Sequence, residues 1–191
     1  MPGVNGDIKG SYTASIFNEA YKRGYNVFVF NPTCPGDSNH TNLEVIDFGH
    51  NFYMTDAIKK VRELFGADCE IYAIGFSLGG NHIGRHLGSH EDCNKICDIK
   101  AFFSVSACYD VPSTTAAMQR TFFGVYDSFI TKGLKKPFLQ RRYLVQQQFE
   151  PHLCKYTAVA KEAETILGFD DTVRSKICNW PGVHSFYRNV S

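Results

Sequence analysis

The stretch Ile71-Tyr72-Ala73-Ile74-Gly75-Phe76-Ser77-Leu78-Gly79-Gly80-Asn81 decides the fold of this chain. Its first five residues are a short apolar run, bounded by turn residues, of the kind that makes a buried strand. Gly75-Phe76-Ser77-Leu78-Gly79 then matches G-x-S-x-G and opens directly into helix-forming sequence. In so tight a strand-to-helix turn the serine takes a strained backbone conformation, and the positions two before and two after it must lack bulky side chains. Gly75 and Gly79 meet that demand. The turn lifts the Ser77 hydroxyl above the carboxyl edge of the sheet. It also aims the Leu78 N–H, at a helix N-terminus, toward an oxyanion forming on an attacked carbonyl.

Working outward, two more apolar runs read as strands, Val27–Asn31, ended by Pro32, and Ala101–Ser106. All three runs are apolar on both alternating faces, as in parallel sheets covered by helices on both sides. Ser11–Lys22 reads as a helix with Ile16 and Ala20 on one face and Gly24 as its stop. Phe52–Phe65 carries Ala57, Ile58, Val61 and Leu64/Phe65 at helical spacing, and Gly66 ends it. Alternating helix and strand predicts an α/β fold. After Tyr109-Asp110-Val111-Pro112 the pattern changes, and residues 113–176 show helical spacing without a convincing strand. The expected organisation is a core segment over 1–112 and a helical lid segment over 113–191, within one domain.

The 191 residues suit one ordinary domain. Twenty Lys+Arg against nineteen Asp+Glu leave a net charge of +1, which argues against a general nucleic-acid binder. No apolar run is long enough to span a bilayer, and residues 1–7 lack the pattern of a secretory signal. Seven Cys, an odd number, read as thiols in a reducing compartment or on a cytoplasmic side rather than as a disulfide framework.

The elbow Gly75-Phe76-Ser77-Leu78-Gly79-Gly80-Asn81, followed by His86-Leu87-Gly88, resembles that of the type-4 branch of the α/β-hydrolase superfamily. That branch contains lipases and esterases, some of them membrane-anchored. Pro2-Gly3-Val4-Asn5-Gly6 with Tyr12, Gly24-Tyr25 through Asn31, Phe169-Asp170-Asp171 and Ser185-Phe186-Tyr187 extend the likeness over nearly the whole chain. The resemblance implies a partial α/β-hydrolase fold, a mostly parallel sheet with helices on both faces and a helical lid. It also implies that Pro2-Gly3-Val4 is the oxyanion loop, with the Val4 N–H as second donor beside Leu78. Many relatives have His-Gly where this chain has Pro2-Gly3; because the donor is a backbone amide, the proline does not remove it.

A serine hydroxyl needs a base, usually a His oriented by an acid, and in this fold the chain order is Ser, acid, His. Thr165-Ile166-Leu167-Gly168-Phe169-Asp170 could be a short strand ending in an acid, with His184 after it. Yet Trp180-Pro181-Gly182 and the absence of a second apolar strand before His184 speak against that pair. Asp110, just past the third strand, is a reserve acid. The expectation is that acid and base lie beyond Ser191, and that the strand leading into Pro2-Gly3 lies before Met1. Omitting a central strand leaves two rows of unpaired backbone groups. The chain made alone is therefore expected to be poorly folded and inactive, an internal piece of a larger hydrolase.

Other groups carry weaker signals. His82, His86 and His90 fall on one helical stripe, but no Glu accompanies the first, so a packed or surface stripe is expected rather than zinc. Cys93 and Cys97 have no second pair, and Gly79-Gly80 lacks the Lys-Ser/Thr of a phosphate loop. Lys132, Lys135, Lys136, Arg141 and Arg142 beside Leu134, Phe138, Leu139 and Leu144 read as a solvated helix face, with peripheral contact to an anionic lipid surface as the other reading. The function expected is hydrolysis of carboxylic esters, of short-chain or acylglycerol type, through Ser77 and an acyl-enzyme, with no metal or organic cofactor. The alternative is a catalytically inactive fragment serving as a lipid- or protein-binding module. Acyl-chain and alcohol specificity, oligomeric state and an upstream membrane anchor have no signature in these residues.

Overall fold

A computed structural model of the chain describes residues 1–4, 6, 9–31, 52–89, 98–140 and 154–191. Pairwise proximity divides them into two compact units. The first holds the described residues between Met1 and Pro32 and between His50 and Tyr109; the second holds those of Asp110–Ser191.

In the first unit, α1 spans Ser11–Lys22 and α2 spans Phe52–Phe65. Gly24 and Gly66 follow at φ 86° and 97°, the left-handed conformation that closes a helix cheaply only without a Cβ. β1 (Ile71–Phe76) and β2 (Ile99–Val105) pair in parallel, and α3 (Leu78–Ser89) connects from the end of β1. The register shifts between Ile71/Tyr72, so that Ile71 faces Ile99 and Tyr72 faces Ala101, leaving Lys100 over. That extra residue flips the alternation of β2. It lets Ile99 and Phe102 join Ile71 and Ala73 on one sheet face, where they pack with Met54 and Ile58 of α2 and Ile83 of α3. On the other face Phe76 meets the Tyr12 ring of α1 at 4.9 Å and Tyr72 meets Tyr25 at 6.2 Å. Phe103 and Val105 remain exposed there.

Two expectations are corrected in this unit. Val27–Asn31 is not a strand. It makes no backbone hydrogen bond among the described residues, and an extended run becomes a strand only when its N–H and C=O rows find a neighbour. The edge of β1 away from β2 is met instead by Met1, whose N donates to Ile74 O at 2.7 Å and whose carbonyl accepts from Phe76 N at 3.1 Å. Ile16 is exposed rather than core-facing, and Thr13 is the buried residue of α1. The sheet of the described residues therefore has two strands, and its helical cover is heavier on one face than on the other.

The second unit is helical. α4 spans Val111–Arg120, a tight turn covers Thr121–Gly124, α5 spans Val125–Gln140 and α6 Cys154–Glu162. α7 (Ile166–Phe169) runs through a wide π-type turn at Asp170–Arg174 into α8 (Ser175–Ile177), and α9 is Val183–Val190. Thr165–Asp170, considered above as a strand, is helical because the Thr165 side chain accepts from Gly168 N at 3.0 Å and caps α7. Ala160, Phe169 and Val173 form a core with Leu134, Leu139, Tyr156, Val159, Ala163 and Ile177. α9 buries Val183, Phe186, Tyr187 and Val190, one face at helical spacing.

Candidate active site

β1 ends and α3 begins within one residue, Ser77, whose φ is 49°. A side chain at such a φ costs about 1 kcal/mol or more and persists only where neighbours fix the backbone. Here they do so from both ends. Ser77 N donates to Val105 O at 2.8 Å, holding the turn to β2, while Ser77 O accepts from Gly80 N at 3.0 Å and Asn81 N at 3.1 Å, starting α3. The Leu78 N–H stands in the first turn of α3, where no carbonyl lies one turn earlier to receive it.

The two flanking glycines are sterically required. A Cβ on Gly75 would stand 2.6 Å from Gly79 O and from Gly80 Cα. One on Gly79 would strike Pro2 O and approach Met1 O to 2.5 Å. The N-terminal loop is therefore packed directly on the turn. A Cβ on Gly3 would lie 3.0 Å from Ser77 Cβ and 3.7 Å from Ser77 Oγ, so that loop borders the serine hydroxyl. Gly6 N donates to Gly3 O at 3.0 Å, closing a turn that contains Val4. Gly3 N donates to the Tyr12 hydroxyl at 3.2 Å. With Gly3 committed, the Leu78 amide next to Ser77 and the Val4 amide in the N-terminal loop have no backbone partner among the described residues.

Ser77 itself is half-buried, and its hydroxyl makes no hydrogen bond among the described residues. His82 and His86, from the same unit, are buried on α3; they are packed residues, and His90 falls outside the described residues. The other acids and the remaining base considered above belong to the second unit. Asp110 caps α4: its carboxylate accepts from Ser113 N at 2.8 Å and from the Ser113 hydroxyl at 2.7 Å, and these bonds, the backbone one foremost, lower its pKa. Asp170 is buried, 2.9 Å from the Arg174 guanidinium and receiving the Tyr187 hydroxyl at 3.0 Å. Burial pushes its carboxyl up, opposed by Arg174 and by Tyr187. Both oxygens of Asp170 are thus engaged inside the helical unit, and no hydrogen bond joins it to His184 on α9. Asp171 is exposed.

Cys69, Cys108 and Cys178 form no disulfide among the described residues, and burial raises the pKa of the Cys108 thiol. Cys93 and Cys97 lie outside the described residues. Among the described residues no three His, Cys, Asp or Glu side chains gather as metal ligands, and no helix is long and apolar enough to cross a membrane. Sequence reasoning gave Tyr12 no role; the signal was a tyrosine soon after Pro2-Gly3-Val4-Asn5-Gly6, able to reach back to that loop.

No protein-family model matches the chain, and no solved structure matches it. Two curated proteins do. Embryogenesis-associated protein EMB8 of Picea glauca is 26% identical over 195 residues, covering 100% of this chain and 41% of that protein. An abhydrolase domain-containing protein of Dictyostelium discoideum is 24% identical over 202 residues, covering 99% of this chain and 47% of that protein. The chain thus spans under half the length of each. These distant relatives suggest an α/β-hydrolase-related family, and two parallel strands among many helices are consistent with part of such a fold.

Proposed function

We propose that the chain carries the nucleophile and oxyanion donors of a serine hydrolase acting on carboxylic esters, of short-chain or acylglycerol type. The observation that carries this is Ser77 at φ 49° in a turn that tolerates no Cβ at Gly75 or Gly79 and is bordered by Gly3. Ser77 Oγ attacks the ester carbonyl as its proton passes to a base. The Leu78 and Val4 amides hold the oxyanion, the alcohol leaves with a proton from that base, and water releases the acid from the acyl-enzyme. No cofactor enters these steps. The base in this reading is a His oriented by an acid partner. The helical residues 113–191 are the lid segment of this reading. This rests on assignment to the type-4 branch from the motif, while the abhydrolase domain-containing relative supports the wider α/β-hydrolase relation.

The test is ester hydrolysis by the natural full-length protein, using p-nitrophenyl esters of graded chain length. Turnover that Ser77→Ala reduces by about a thousandfold or more supports the assignment. Turnover unchanged by that substitution overturns it, and a folded protein inactive on every ester favours a binding module instead.

A further inference from the structure

The turn between α4 and α5 holds three successive residues in the left-handed region, Phe122, Phe123 and Gly124, at φ 48°, 55° and 78°. Two phenylalanines in that conformation are strained. Neither gains burial in exchange, since Phe122 is 68% exposed and Phe123 wholly so. Phe122 packs edge-on against Tyr126 at 5.7 Å, and Val125, Tyr126 and Phe129 (74%) of α5 are exposed as well. α5 is inverted here. Its buried face carries Asp127, which accepts Ile166 N at 3.0 Å, and Thr131, which donates to Asp127 O at 2.7 Å. The aromatic residues point outward. Scattered apolar residues on a surface need no explanation, but five within eight positions, presented by a strained turn, form a patch.

Charge identifies what covers it. From Val111 to Lys135 the only acid is Asp127, and it is buried. Arg120 precedes the turn and Lys132 follows Phe129 by three positions on α5, both exposed. Within Val111–Lys135 the aromatic tip is flanked by exposed cations and no exposed anion, which matches the interface of an anionic bilayer. There the rings enter the headgroup and acyl boundary while the cations meet lipid phosphates and carboxylates.

We propose that the Phe122–Phe123 knuckle, with Phe129 behind it, is a membrane-contact site that inserts into an anionic lipid surface. It involves neither Ser77 nor the ester reading, and stands or falls separately. Co-sedimentation of the natural full-length protein with vesicles of phosphatidylcholine, with and without phosphatidylserine, tests it. The protein should bind the anionic vesicles more tightly, and added salt should weaken that binding. Phe122→Ser with Phe123→Ser should reduce it about tenfold or more. Arg120→Glu with Lys132→Glu should remove the preference for anionic lipid. Phe123→Trp should add tryptophan fluorescence that brominated lipids quench, which reports insertion at this position even if another part of the protein also binds membrane. Overturning results are added fluorescence in Phe123→Trp that brominated lipids leave unquenched, vesicle binding equal in the serine variant and wild type, or a wild-type self-association that the serine variant abolishes without any lipid binding.

Discussion

The serine turn and the helical unit solve the same problem, fixing a backbone that local preference alone would not hold, by opposite means. Around Ser77 the side chains are removed: glycines let the chain ends of β1, α3 and Met1–Gly3 touch backbone to backbone, and hydrogen bonds from Ser77 N to the Val105 carbonyl and from the Gly80 and Asn81 amides to the Ser77 carbonyl complete the hold. In the second unit a wide helical turn at Asp170–Arg174 is held by side chains. Arg174 pairs with Asp170 and lies 5.6 Å from the Phe169 ring centre and 5.9 Å from that of Phe186, while Tyr187 donates to Asp170 from α9. The first arrangement leaves the Ser77 hydroxyl and the Leu78 amide uncommitted among the described residues. The second commits its polar groups to one another. On that difference rests the proposal that the serine turn is the place for chemistry.

The sharpest way to break the comparison is to remove one member of each arrangement. Arg174→Ala strands a buried carboxylate near Asp127 and should cost about 3–5 kcal/mol in urea unfolding. Asp170→Asn, which keeps an acceptor for Tyr187, should cost less, about 1–2 kcal/mol. The pH dependence has a definite sign. Burial raises the Asp170 carboxyl and Arg174 lowers it, so without Arg174 the folded-state value rises further above the unfolded one. The stability of Arg174→Ala is then greatest below the ordinary Asp value and is lost as pH rises toward the folded-state value. A variant insensitive to pH there would remove Asp170 from the account.

Gly75→Ala and Gly79→Ala come next, at about 3 kcal/mol, because the atoms in the way are backbone and cannot swing aside. Full stability in either would mean that the turn is looser than described. Tyr12→Phe should be milder still, about 1 kcal/mol, with its chief effect on the loop. It frees the Gly3 amide and should also slow acylation of Ser77; an unchanged rate would separate Tyr12 from the site. Smallest is Asp110→Asn. The Asp110 carboxylate is lowered by Ser113, so its capping contribution is present above the ordinary Asp value and lost as pH falls through the folded-state one. Helical circular dichroism should fall over that acid range in the parent and less in the variant.

What the sequence revealed follows from the same contrast. The turn was legible because its constraint is local: a strained serine needs glycines two positions away, and Gly75 and Gly79 can be read without knowing any partner. The extents of α1 and α2 were legible for the same reason, through the glycines past their ends, whereas the periodicity of α1 misplaced its buried face, which holds Thr13 and not Ile16. Val27–Asn31 was not, because strand formation depends on a neighbour that spacing cannot supply. Thr165–Asp170 misled because a threonine before an apolar run caps a helix as readily as it opens a strand. The Asp170–Arg174 pair has the readable i,i+4 spacing, but the Tyr187 contact comes from a separate helix, and nothing in the spacing distinguishes a buried aspartate from a catalytic one.

The measurement closest to the central claim is covalent labelling of the natural full-length protein with a fluorophosphonate, followed by mass spectrometry of the modified peptide. Ser77 is expected to be phosphonylated, with no adduct in Ser77→Ala. An unlabelled wild-type protein, or an adduct that persists after that substitution, would contradict it.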